Sequence, residues 1–93
     1  MSVTITLPGQ LRDLADGRHE VVLESTPPTV AEAMRVLHER YPAIYERVLT
    51  EPGDVRPHVN LFVDGTEIRR TGGLGTPLGE GASIDIIPSV SGG

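Results

Sequence analysis

The chain contains no cysteine and no lysine. Without a thiol it can form no disulfide, no thiolate metal site and no cysteine nucleophile. Sulfur chemistry on this chain therefore requires a sulfur atom added to it. All eight basic residues are arginine, so the protein has no side-chain amine through which copies of itself could be joined. An arginine-rich codon bias would leave the same mark, and the absence alone establishes no function. Thirteen acidic residues outweigh the arginines, for a formal net charge of −5. That balance argues against a nucleic-acid binder, which needs a basic face. No apolar run approaches the ~18 residues of a membrane span. Met1 to Leu7 lacks the basic start and long apolar stretch of a signal peptide. A soluble cytoplasmic protein is expected, with neither nucleic acid nor membrane as partner.

The 93 residues make one domain, large enough to bury roughly two-thirds of its unfolded surface. Val3, Ile5 and Leu7 alternate with threonines and predict a strand that Pro8-Gly9 ends. A polar connection carrying Leu11 and Leu14 leads to a second strand, His19 to Glu24, with Val21 and Leu23 on one face. Pro27-Pro28 stops it. Thr29 then reads as a helix N-cap, with Glu32 completing a capping box. Val30, Ala33, Met34, Leu37 and Tyr41 form one apolar stripe, and Pro42 ends that helix. Ala43 to Leu49 adds a short helical turn with Ile44 and Val48 inward. Val59, Leu61 and Val63 mark a third strand. Asp64-Gly65 is a hairpin turn that returns through Thr66 to Arg69. Thr71 to Gly81 is a glycine-rich loop with Leu74 and Leu78 as anchors, and Ser83 to Ile87 is the last strand.

The predicted order is β-β-α-β-β-β. A single long amphipathic helix must pack across one sheet face, which makes the fold an α+β β-grasp: a mixed sheet of about five strands on one main helix. First and last strands side by side and parallel at the sheet centre would bring their inward residues onto the helix stripe. Residues 1–88 are the expected domain and 89–93 a flexible tail.

Residue by residue, the domain shows little chemistry. His19, His38 and His58 are scattered, with no partner at metal spacing; no metal site and no catalytic residue is expected. Gly72-Gly73-Leu74-Gly75 lacks the spacing of a phosphate loop. Asp13 and Asp16 read as loop surface. The tail is different. The last two residues are Gly92 and Gly93, a pair that chance alone would put at the end of about one chain in 70 of this composition, so its weight depends on what precedes it. Pro88 to Gly93 can reach roughly 20 Å when extended. Ser89 and Ser91 are small, and no side chain in the tail is charged, unlike a merely disordered end. Ser91 and Gly92 would thread a narrow channel and present the Gly93 carboxylate. Alternation also turns Phe62 and Ile87 away from the helix. They are expected to be exposed on an uncovered sheet face and, with Val90, to bind a partner.

Val59-Asn60-Leu61-Phe62-Val63-Asp64-Gly65, Arg69, Gly72-Gly73-Leu74, Thr76-Pro77-Leu78, Gly81 and Ile84-Asp85-Ile86-Ile87-Pro88, running into Val90 and Gly92-Gly93, together resemble the ThiS/MoaD family of ubiquitin-like sulfur carriers. The likeness is greatest to its CysO-type members. Ser89 and Ser91 depart from the alanines common in such tails, without adding bulk. The resemblance implies a ubiquitin-like fold and a protein co-substrate rather than an enzyme. An adenylating activating enzyme, using ATP and magnesium, would activate Gly93; the chain itself would bind no cofactor. A sulfur donor would convert Gly93 to a thiocarboxylate, and a sulfur-accepting synthase would use it. Cysteine biosynthesis, through a cysteine synthase, is the favoured destination; thiamin thiazole, molybdopterin and a secondary metabolite stay open. Two other readings compete: a modifier joined to lysines of other proteins, and a plain β-grasp interaction module.

Overall fold

In the computed structural model, which describes residues 2–88, the alternating N-terminal segment forms β1 (Val3–Thr6). Val3 and Ile5 are buried, and the threonines between them lie on the opposite face. The connection that follows is more structured than its polar composition predicts. It forms α1 (Gly9–Arg12) and a 3-10 turn, Asp13–Ala15. Leu11 and Ala15 are buried there, and Arg12 Nε donates to the Leu7 carbonyl at 3.2 Å. A short apolar-anchored turn thus covers one end of the sheet where a plain loop was expected.

Strand β2 (Glu20–Leu23) returns antiparallel to β1, with Val21 and Leu23 inward. Helix α2 (Val30–Arg40) follows, buried along Val30, Ala33, Met34 and Leu37. Its cap is half of the expected box. Thr29 Oγ1 accepts from the Glu32 amide at 3.3 Å, which satisfies one orphan donor of the first turn. The Glu32 carboxylate turns outward to Arg35 at 2.9 Å instead of back to the cap. Helix α3 (Pro42–Val48) begins with proline at its first position, where no backbone donor is lost, and buries Ile44 and Val48.

Strand β3 (Val59–Val63) buries Val59 and Leu61, while Val63 at its end is half-buried. Asp64 and Gly65 both have positive φ, 49° and 88°, the signature of a type I′ hairpin turn. The returning strand is shorter than expected. β4 is Thr66–Glu67, after which Ile68–Arg70 turns as a 3-10 helix and drops Ile68 into the core. An apolar residue at position 68 gains more by turning inward than by prolonging an edge strand.

The glycine-rich loop is held to the start of α2. Thr76, 5% exposed, places Oγ1 2.6 Å from the Gly73 carbonyl. The Thr76 carbonyl accepts from Val30 N, and Leu78 N donates to the Pro28 carbonyl, both at 3.0 Å. Strand β5 (Ser83–Pro88) then enters the sheet.

The sheet order is β2-β1-β5-β3-β4. β5 runs parallel to β1 and antiparallel to β3, as expected for the first and last strands. A parallel pair needs a long crossover, and here it carries α2 and α3 over one face. Their apolar residues join the inward side chains of β1, β2, β3 and β5 in one core. This is the ubiquitin-like β-grasp arrangement.

Candidate functional site

The last cross-strand pair of β5 is Pro88 with Val59, so the central strand carries the chain to the rim of the sheet. Val90, Ser91, Gly92 and Gly93, named from the sequence, lie outside the described residues. Two surfaces flank the point where β5 ends.

The first is the sheet face opposite the helices. Register pairs build a continuous row across it: Glu20, Thr6, Asp85, Phe62 and Glu67. Ile87 stands opposite Asn60 in the next row, and Val22 opposite Thr4. Ile87 is 45% exposed and Val22 40%, the most exposed large apolar side chains among the described residues. Ile87 is thus where alternation placed it. Phe62 is half-buried rather than exposed. It lies in a middle strand, paired with Asp85 on one side and Glu67 on the other. Val22 was missed, although the outward phase of Glu20 and Val22 against Val21 and Leu23 is legible in the sequence.

The charge on this face is unevenly compensated. Arg69 Nη1 contacts Glu67 Oε2 and Asn60 Oδ1, each at 2.7 Å, and Nη2 donates to the Val59 carbonyl at 3.3 Å. Among the described residues neither Glu20 nor Asp85 has an ion-pair partner. A partner that covers Ile87 and Phe62 meets the negative charge of Asp85 beside them, while Val22, level with Thr4 and Ser83, lies across the acidic row from Ile87.

The second surface is a groove of ≈ 200 Å³ on the helix side of the same pole. Leu11, Val48, Val59, Ile86 and Pro88 form its apolar wall, and Arg47 and His58 stand at it. Sequence reading did not find it, because its residues come from α1, α3, β3 and β5. Arg56 shares the adjoining rim with Arg47 and His58 and donates to the Glu46 carbonyl at 2.8 Å.

The remaining candidates stay apart. His38 is exposed on α2, its ring 4.4 Å from that of Tyr45. Among the described residues no three histidine, aspartate or glutamate side chains gather as a metal cluster. The glycine loop is occupied with Thr76 and α2, and it presents no helix start of its own beyond the turn Gly73–Gly75. On the exposed side of α2, hydrogen bonding and charge from Glu32, then the charge of Glu39, raise Arg35 above the ordinary guanidinium value. No described helix is long and apolar enough to cross a membrane.

Comparison with known proteins bears on this arrangement. The ThiS family model matches residues 5–93. The sulfur carrier protein CysO of Mycobacterium tuberculosis is 33% identical over 95 residues, covering 100% of each chain. The small archaeal modifier protein 3 of Haloferax volcanii is 35% identical over 65 residues, 70% of each chain. A chain of the Amycolatopsis orientalis BexX/CysO complex superposes with a TM-score of 0.86 at 30% identity, covering 98% of this chain and 99% of that one.

Proposed function

The chain belongs to the ThiS family, and from that premise we propose that it is a sulfur carrier whose working group is the Gly93 carboxylate. A partner enzyme, with ATP and magnesium, supplies the activation. A carboxylate oxygen attacks the α-phosphorus of ATP and pyrophosphate leaves. The sulfur of a donor then attacks the acyl carbon, the bond to AMP breaks, and Gly93 ends as a thiocarboxylate. Activation is needed because a carboxylate has no good leaving group, whereas an acyl-adenylate expels AMP. The observation that carries this reading is that the family match runs through residue 93, beyond the end of the central strand at Pro88.

The chain acts as a protein co-substrate, and the chemistry belongs to enzymes that hold its tail. Ser91 and Gly92 thread the channel. Ile87, Phe62 and Val90 make the docking contact. The paired arrangement of the CysO relative with BexX supports docking on a partner protein as the mode of action. Full-length likeness to CysO favours cysteine biosynthesis, with a cysteine synthase as sulfur acceptor, over thiamin thiazole, molybdopterin or a secondary metabolite. The neighbouring genes would decide among these.

The test is intact-mass spectrometry after incubation with ATP, magnesium, the activating enzyme and a sulfide source. A gain equal to the difference between one sulfur and one oxygen is expected. No gain with an enzyme that is active on ATP refutes the reading. A second reading, conjugation to lysines of other proteins, draws on the likeness to the archaeal modifier protein. It shares the chemistry up to the adenylate and predicts glycine-glycine remnants on cellular lysines after proteolysis. An inert interaction module would tolerate a residue appended after Gly93 with no change in behaviour.

A further inference from the structure

Strand β2 closes one side of the sheet, and its outer edge is a row of main-chain groups with no strand beside it. Which groups face out follows from the register. Leu7 N donates to the His19 carbonyl at 2.9 Å, whereas Thr4 N donates to the Ala82 carbonyl at 3.0 Å, just before β5. Odd-numbered residues of β1 therefore bond to β2. They pair with Val21 and Leu23, so the N–H and C=O groups of Glu20 and Val22 point away from the sheet. The other edge strand, β4, has two residues; β2 has four and offers the longer edge. Open edges of this kind invite another strand. Arg40, the last residue of α2, meets this one. Its Nη1 donates to the Val22 carbonyl at 2.9 Å from an exposed position. A cationic donor of the chain itself thus occupies one outward acceptor and shows what the edge takes. The side chains agree. Glu20 and Glu24, both exposed, stand on either side of Val22, which is 40% exposed. Neither carboxylate has an ion-pair partner among the described residues.

We propose that the outer edge of β2 is a strand-addition site for an extended segment of a partner protein that carries arginine or lysine on both sides of an apolar residue, in the pattern basic-x-apolar-x-basic. Its main-chain groups pair with those of Glu20 and Val22, its apolar side chain lies beside Val22, and its cationic side chains meet Glu20 and Glu24. The pattern reads the same in both directions, so charge matching holds for either strand polarity. Arg40 must leave the Val22 carbonyl for the incoming amide. Its hydrogen bond is exposed, and water replaces such a bond at small cost. Until then the guanidinium blunts the edge. A second copy of this chain fits less well. Each copy carries a net charge of −5, and antiparallel pairing about Val22 sets Glu20 of one against Glu24 of the other. Like charges directly opposite destabilise a strand pair. β2 lies two strands from β5, about 10 Å away, so a protein held at this edge stands beside the central strand. The site does not depend on the activation of Gly93.

The test is an NMR titration of the isotope-labelled full chain with a short capped peptide that has valine flanked at alternate positions by two arginines, with threonine elsewhere. The Glu20 and Val22 amides should shift and exchange with solvent more slowly. Val21 and Leu23, already bonded to β1, should keep their exchange rates. Arg40→Ala frees the Val22 carbonyl and should tighten binding roughly 2–10-fold. Val22→Pro removes an outward N–H and no bond to β1; it should abolish binding while the chain stays folded. The double variant Glu20→Arg, Glu24→Arg should bind the peptide at least about 5-fold more weakly and take up instead the analogue with glutamates in place of the arginines. That exchange of preference decides the matter even if Val22→Pro does not fold. Shifts centred on Phe62 and Ile87 rather than β2, undiminished binding by the charge-reversed chain, or no binding overturn the proposal. So does protection of the Glu20 and Val22 amides that grows with protein concentration in the absence of peptide, which would make a second copy the occupant. Failure of the thiocarboxylate reading shows separately, in the ATP and sulfide experiment.

Discussion

Two isoleucines on β5, three residues apart, should behave oppositely when truncated. Ile84 is fully buried and paired with Ile5 on one side and Val63 on the other. Ile84→Ala removes three carbons from the centre of the sheet and leaves a cavity, at a cost of about 2–5 kcal/mol. A domain of this length has about 5–14 kcal/mol to lose, so the melting temperature should fall by roughly 10–30 °C. Ile87 is 45% exposed, so about half its transfer energy is already forgone. Ile87→Ala should cost under about 1 kcal/mol of stability. If Ile87 anchors a partner, the same change should cost about 2 kcal/mol of binding, a roughly 30-fold rise in the dissociation constant. Urea unfolding measures the first quantity, and titration against the activating enzyme the second. Equal destabilisation by the two substitutions would show that the outer sheet face is covered. Unchanged binding by Ile87→Ala would remove that face from the docking surface.

Three further outcomes are expected. Deleting Gly93 should abolish the sulfur-for-oxygen mass gain while leaving the unfolding midpoint within about 0.5 kcal/mol of the full chain; retained gain would place the chemistry elsewhere. Thr29→Ala should cost about 1 kcal/mol in urea unfolding, because the Glu32 amide loses its acceptor at 3.3 Å. Gly65→Ala should cost roughly 1–2 kcal/mol from backbone strain alone, since φ is +88° and nothing stands within 4 Å of an added Cβ; an unchanged midpoint would contradict the type I′ turn.

Much of this was legible in the residues. Period-two alternation marked β1, β2, β3 and β5, the stripe from Val30 to Leu37 marked α2, and Asp64-Gly65 marked the hairpin, because each depends on contacts or backbone angles local to the segment. The helix and 3-10 turn after Pro8 were not legible. Their sequence is polar on average, and they form because Leu11 and Ala15 find burial against elements distant in the chain. Phe62 shows the same limit from the other side. Alternation assigns its face correctly, but the degree of cover depends on its place in a strand with neighbours on both sides, Asp85 and Glu67, which only strand register brings beside it.

By itself the sequence determined that these 93 residues carry no thiol and no side-chain amine, that their strands and main helix fall in β-grasp order, and that Gly92-Gly93 stand behind an uncharged segment. Those properties are covalent or nearest-neighbour and do not depend on how the chain folds back. Tertiary structure decided what surrounds the exit of that tail. Placing β5 between β1 and β3 set Ile87 and Val22 on one face, across an acidic row from each other, and it brought Arg47 from α3 into a groove with Pro88. Residues 47 and 88 have no relation in the sequence; they meet because the crossover between two parallel strands must carry its helices over the face that needs burial.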